Sequence, residues 1–357
     1  MMFLITCALL LRIEPLRAIT FFGTDNPAFH TTAPTGVFTN SGWQWQVSGG
    51  ICATAIGPHH LATARHLGFN PGLEFIYQGL RYRAIRVSWA DTGDLAMLEV
   101  AGRIGSFAPL YRGTNEVGKT IVMHGRGTQR GDPVYGPPPN GTQVRGWLWG
   151  GSDFLLRWGT NRVEDTYDTT PKDRITGSYL ISHFSNRGGS DLATFAVGDS
   201  GGGSFLRDTD GAWKLAGVNY GVEAQFNSST NGAGFYATLF DRRGFYTFDE
   251  DLQAWTIDPD KINEPRTELY MTRISSNLAW IDSQLERDPA VDWPILESAA
   301  NATGPFAEHE AYAVTVDLKQ IVINAGPQKA FFRLRSTTSL RLKGPTVKDG
   351  QFVFTYE

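Results

Sequence analysis

An all-β fold, a sandwich or a barrel, is what this sequence predicts, and three observations predict it. Short apolar runs, at 43–47, 73–77, 82–87, 95–100, 120–124, 154–158, 178–184, 213–220 and 234–240, are cut at regular intervals by Gly, Pro, Asn and Asp. Glycine is abundant, with 40 in 357 residues, while charged residues stand at 19%, below the usual ~25%. Apolar residues reach 41% and aromatic residues 12%, so a large core forms without the help of the two cysteines. The length suits two domains, or one large β domain with an appendage. The net charge of −4 comes without a basic run, which argues against nucleic acid and against an anionic membrane surface. No stretch of ~20 apolar residues offers a membrane-spanning helix.

The elements follow in chain order. Residues 1–11 form an apolar run that suits a signal-peptide core, with Leu16-Arg17-Ala18 before the cut and Ile19 as the new first residue. Two features depart from the usual pattern: no basic residue precedes the run, and Arg12, Glu14 and Arg17 follow it. Export to the periplasm, the cell surface or the medium is the expectation. Removing 1–18 takes two Arg and one Glu with it, which moves the net charge from −4 to −5 and leaves Cys52 as the sole cysteine. Cys52 reads as a small buried apolar residue. The Gly/Pro-rich stretch 125–151 reads as a long loop. The clearest helix is 273–286, where Ile274, Leu278, Ile281 and Leu285 make one apolar stripe. The Pro- and Ala-rich stretch 288–310 reads as a linker. Alternating runs at 311–323, 330–335, 339–342 and 351–356, with the turn Lys348-Asp349-Gly350, predict a small β module over 311–357. No internal repeat is visible.

The chemistry centres on Gly198-Asp199-Ser200-Gly201-Gly202. A serine hydroxyl carries almost no alkoxide at neutral pH, so a nucleophilic serine needs a base and a site for the developing oxyanion. Flanking glycines permit the tight turns that bring the amides of Gly198 and Ser200 onto one oxygen. A base and an orienting carboxylate are both at hand. Leu61-Ala62-Thr63-Ala64-Arg65-His66 ends an apolar strand in a histidine, and Asp94-Leu95-Ala96-Met97-Leu98 begins one with an aspartate. The order His, Asp, Ser is one of the three known for this triad. His59, His60 and His124 are rivals for the base, and Asp91 for the carboxylate, but none stands in an equally apt segment. His59 and His60 lack a third ligand of recognisable spacing for a metal, and this chemistry calls for no cofactor.

These segments resemble the chymotrypsin-fold (trypsin-like) serine proteases, in a bacterial-type form without disulfides. Ala62-Thr63-Ala64-Arg65-His66 is similar to the family's Thr-Ala-Ala-His, Asp94–Leu98 to its Asp-Ile-Ala-Leu-Leu, and Gly198–Gly202 matches Gly-Asp-Ser-Gly-Gly in full. Leu215-Ala216-Gly217-Val218-Asn219-Tyr220-Gly221 resembles the strand that ends in Ser-Trp-Gly and pairs with substrate backbone. Gly234-Phe235-Tyr236-Ala237-Thr238 resembles Gly-Val-Tyr-Thr-Arg. The match covers about residues 35–286. It implies two six-stranded antiparallel β-barrels with a C-terminal helix, over 19–287. It also implies a serine endopeptidase acting on a protein or peptide substrate. Ser200 would attack, His66 would carry the proton, Asp94 would orient His66, and the amides of Gly198 and Ser200 would hold the oxyanion. Thr194 would lie at the base of the primary pocket, and Asn219, Tyr220, Gly221 and Gly234 would line it, favouring an apolar or medium-sized side chain.

The sequence departs from the family in two places. No cysteine near Leu67 faces Cys52, so a bridge found in many relatives is absent. Asp199 would be buried and need a partner; in zymogen-activated relatives that is a new N-terminal amine. Ile19, a side chain or a polar network would serve. Two other functions fit the same motifs: an esterase-like hydrolase with this triad, and a catalytically silent, protease-like binding or adhesion protein.

Overall fold

The computed structural model describes residues 19–137, 141–169, 176–249, 252–257, 266–326 and 330–357. The signal-peptide reading of 1–18 lies outside the described residues. The fold is all-β, with antiparallel strands throughout its sheets and a single α-helix, Leu278–Leu285, among the described residues. That helix is shorter than the expected 273–286. Residues up to Arg273 instead extend a strand, Glu268–Arg273, and a 3-10 turn, Ser275–Asn277, leads in.

Two barrels carry the site. In the first, the sheet order is Thr54–Gly57, His60–Thr63, Ala96–Val100, Leu80–Trp89, Glu74–Tyr77. Residues 46–48 close it, bridging Gln46 to Thr54 at one edge and Ser48 to Ile76 at the other. Alternation turns Val47, Ala55, Leu61, Phe75, Tyr77, Tyr82 and Leu98 inward to one core. In the second, Thr120–Gly125, Gly203–Arg207, Trp213–Val222, Glu268–Arg273 and Ser178–His183 follow one another around the sheet. Arg157–Arg162 and Asp165–Asp168, two arms of one bent stretch, pair with the first and last of these and close the ring. Counting that stretch once, both barrels have six strands, as the resemblance implied. Between the barrels a shared cluster joins Ala62, Leu95 and Met97 of the first to Val122, Phe205 and Val218 of the second, with Ile281 of the helix packed in.

Two parts of the architecture differ from expectation. The stretch 125–151 is not a bare loop: Arg130–Tyr135 and Val144–Trp149 pair as a hairpin. They join Phe235–Leu239, Gln225–Asn227, Tyr246–Asp249 and Ala254–Thr256 in a third sheet beside the second barrel. The segment 288–310, expected as a linker, holds the strands Ile295–Ala299 and Ala307–Glu308, and the first of these pairs with Phe331–Arg335.

The C-terminal strands are also continuous with the first barrel. Tyr312 and Ala313 pair with Arg103 and Gly102. Ala313 belongs to the first barrel's core, and Ala101 to the module's. A chain lacking 290–357 therefore exposes apolar surface on the barrel. It is expected to unfold at least ~10 °C lower in thermal melts, since a loss of ~3 kcal/mol moves a domain of this size that far. An unchanged melting midpoint would show the module to be an independent unit.

Candidate active site

His66 sits in a short turn, Arg65–Leu67, that ends the His60–Thr63 strand of the first barrel. Asp94 precedes the next strand over, Ala96–Val100, which pairs directly with His60–Thr63. This pairing brings the two residues together. The His66 Nδ1–H donates to Asp94 Oδ2 at 2.6 Å, and the His66 backbone N–H donates to Asp94 Oδ1 at 2.7 Å. Asp94 is fully buried, while the His66 side chain remains 36% exposed. The carboxylate thereby fixes both ring orientation and tautomer, and leaves Nε2 as the acceptor.

Ser200 lies on a turn of the second barrel and is partly exposed. Contacts on both sides fix the turn. A Cβ on Gly201 would fall 3.0 Å from the Leu67 side chain, next to His66. The Gly201 N–H donates to the Asn219 carbonyl at 2.9 Å, and the Asn219 N–H to the Gly202 carbonyl at 2.9 Å. Gly198 has φ +93°, a conformation suited to glycine, and the Cα of Gly127 would be 2.9 Å from any Cβ there. Among the described residues the amides of Gly198 and Ser200 take part in no backbone hydrogen bond, so both remain free to donate.

Asp199, between them, points into the protein and is fully buried. Its Oδ1 accepts from the Gly127 N–H at 2.7 Å and its Oδ2 from the Ala196 N–H at 2.8 Å. Burial pushes its carboxyl up to about 7, against the pull of those amides, of the Arg157 charge and of a hydrogen bond from the main chain of Ile19. Ile19 itself is fully buried, and the following strand, Thr20–Phe21, pairs with Ala193–Thr194.

Other expected site residues fall as follows. Asn219 is buried, and its side chain supports the turn. Its Nδ2 donates to the carbonyls of His124 (2.8 Å) and Asp199 (3.1 Å), and its Oδ1 accepts from Ser204 Oγ (2.7 Å). The Tyr220 ring stands 6.0 Å from the His66 ring, and Gly221 follows on the same strand. Thr194 is fully buried opposite Thr20, with its hydroxyl unpartnered. Gly234 lies beneath the Trp255 ring in the third sheet, and the residue paired with Gly221 is Tyr270.

Among the rivals, His124 is fully buried, and burial pushes it down to about 4. His60 is also buried and likewise pushed down to about 4, while His59 Nδ1 bonds to the Gly102 carbonyl. Asp91 is exposed. The Cys52 thiol lies 3.6 Å from the Gly198 carbonyl, and burial pushes it up to about 12, which makes it a packing group rather than a nucleophile.

Sequence reasoning missed Arg126 and Arg157, the two buried guanidinium groups beside the serine turn. Arg126 Nη2 donates to the Val47 carbonyl at 2.7 Å and its Nη1 to the Phe154 carbonyl at 2.8 Å. Arg157 pairs with Asp153 at 2.7 Å. Nothing local in the sequence marks either one.

No protein-family model matches this chain, and no curated protein does. Among solved structures it is similar to the passenger domain of plasmid encoded toxin, an autotransporter enterotoxin of enteroaggregative Escherichia coli. Identity is 15% and the TM-score 0.41, over 69% of this chain and 23% of that one. It is also similar to a double mutant of human heparin binding protein (CAP37), with 14% identity and a TM-score of 0.41, over 71% of this chain and 96% of that one. This chain thus spans less than a quarter of the toxin passenger domain.

Proposed function

We propose that this chain is an exported serine endopeptidase that hydrolyses peptide bonds through an acyl-enzyme. The observation that carries the reading is the buried Asp94 holding His66 by both ring and backbone, with the Ser200 turn packed against Leu67. In this reading His66 Nε2 takes the Ser200 proton as the hydroxyl attacks the scissile carbonyl. The amides of Gly198 and Ser200 receive the oxyanion, and His66 returns the proton to the leaving amine. The acyl half of the substrate runs beside Tyr220 and Gly221. Maturation after Ala18 would free the Ile19 amine beside the Asp199 carboxyl, where its main chain already bonds. Among the described residues no helix is long and apolar enough to cross a membrane.

The test is covalent labelling with a serine-directed phosphonate. Wild type should be modified at Ser200, and the Ser200→Ala and His66→Ala variants should not. Failure to label wild type, or equal labelling of Ser200→Ala, would sink the enzymatic reading and favour a silent binding protein. Cleavage of esters but not of peptides would favour an esterase.

A further inference from the structure

The serine turn has two flanks. One runs through Gly201 and Gly202 to Asn219, and onward to Tyr220 and the His66 ring. The other runs through Val197 and Gly198 to 126–128, where the Thr128 N–H donates to the Val197 carbonyl at 2.9 Å. With the acyl half of a substrate beside Tyr220, the leaving half crosses the second flank. On that side three large apolar side chains face water: Val197, Phe154 and Leu155, at 58%, 53% and 50% exposure.

A single exposed apolar residue is ordinary, but Phe154 is held in place. Its φ is +55°, a region that a bulky residue rarely enters. Its carbonyl accepts from Arg126 Nη1, and its N–H donates to Ser152 Oγ at 3.3 Å. Ser152 Oγ in turn donates to the Arg126 carbonyl at 3.0 Å. The next residue is tied down too, since the Leu155 N–H donates to Asp153 Oδ1 at 3.0 Å and Asp153 is paired with the fully buried Arg157. Arg126 also reaches the first barrel at Val47. Two buried guanidinium groups therefore fix the 152–155 turn to the framework of the oxyanion loop and hold an apolar surface out to solvent. Strained backbone persists where its surroundings over-determine it, and such places cluster at ligand clamps.

We propose that Phe154, with Leu155 and Val197, forms the subsite for the leaving side of the substrate and selects large apolar side chains at the first two positions beyond the scissile bond. The proposal rests on the proteolytic reading. The three side chains carry no charge, and the nearby Asp153 carboxylate is bound to Arg157, so a charged side chain placed there would lose water without gaining a partner.

The experiment uses two quenched fluorescent peptides that are identical up to the scissile bond. One carries Leu-Phe beyond it and the other Gly-Gly. Wild type should favour the first by about tenfold in kcat/KM, the discrimination typical of one apolar contact. Phe154→Gly deletes the ring and accepts the positive φ without strain. It should melt no lower than wild type and bring the ratio close to one, whereas Val347→Ser, at an exposed apolar residue of the C-terminal module, should keep the wild-type ratio. An equal rate for both peptides in wild type, or a preference that survives Phe154→Gly, overturns the subsite alone. Cleavage of neither peptide by wild type overturns the proteolytic reading, and the subsite with it.

Discussion

Replacing Asp94 with asparagine is expected to lower kcat by about 10⁴, and Ser200→Ala by about 10⁶. The two losses have different origins. Ser200→Ala removes the nucleophile. Asp94→Asn keeps the shape but changes what the ring nitrogen meets. In the native protein Asp94 Oδ2 accepts from His66 Nδ1–H at 2.6 Å, while Oδ1 is engaged by the His66 backbone and cannot swing away. An asparagine that keeps its oxygen on the backbone N–H turns its NH₂ toward Nδ1. The imidazole then moves its proton to Nε2, where it can no longer accept from Ser200. The check is kcat on a peptide substrate, with thermal melts to confirm that both variants fold. An Asp94→Asn enzyme within tenfold of wild type would remove Asp94 from the mechanism. The double variant should be no worse than Ser200→Ala, because residues that act as a unit do not lose activity additively.

A chain that begins at Ile19 is expected to be about 10² times more active at neutral pH than the full chain, and to have the opposite pH dependence of stability. In the full chain the Ile19 nitrogen is a peptide amide rather than an ammonium, and burial holds the Asp199 carboxyl at about 7, against ~3.9 for a free aspartate. The folded state therefore binds this proton more tightly than the unfolded state. Its contribution to stability is complete below about pH 4 and is lost as the pH rises to 7, a fall on the order of 4 kcal/mol. A freed Ile19 amine would reverse this. Paired with a carboxylate, the amine titrates above its free value of ~7.7–8.0, so the pair persists through neutrality and fails only in alkali. That pair would add a charge-assisted anchor to the 198–200 loop beside the Gly127 and Ala196 amides, and the 10² is the usual cost of one misplaced oxyanion donor. Urea midpoints at pH 4.5, 7 and 10 on both chains, with kcat/KM at neutral pH, provide the check. Equal activity and parallel pH curves would assign Asp199 a purely structural role.

The meeting of His66 and Asp94 was legible because each sits at the end of a local apolar run, and adjacent strands then bring the two together. The buried state of Asp199 was legible too, from the likeness of Gly198-Asp199-Ser200-Gly201-Gly202 to the protease motif. The wall beside Gly221 was not. Gly234-Phe235-Tyr236 has the better local match, but the neighbour of Gly221 is Tyr270, on a strand whose last residue, Arg273, reads as helix by apolar spacing. The third sheet was hidden for a similar reason. Its strands come from distant stretches, and the hairpin 130–149 is so rich in glycine and proline that alternation barely shows. Arg126 and Arg157 escaped because a buried arginine looks like a surface one until its carbonyl and carboxylate partners are known.

The pairing of Gly102–Arg103 with Tyr312–Ala313 also bears on the order in which the polypeptide matures. These partners lie roughly 200 positions apart, and contacts of such long range close late because loop entropy must be overcome first. A ribosome releases Gly102 well before Ala313. Until the later strand arrives, the place of Ala313 in the first barrel's core is unfilled and Gly102–Arg103 lacks its pairing partner. If the chain is exported as proposed, the nascent polypeptide would therefore stay loose enough to thread through a secretion channel. On the proposed reading, proteolytic competence would be delayed until those strands have emerged, which would protect the cell that makes it.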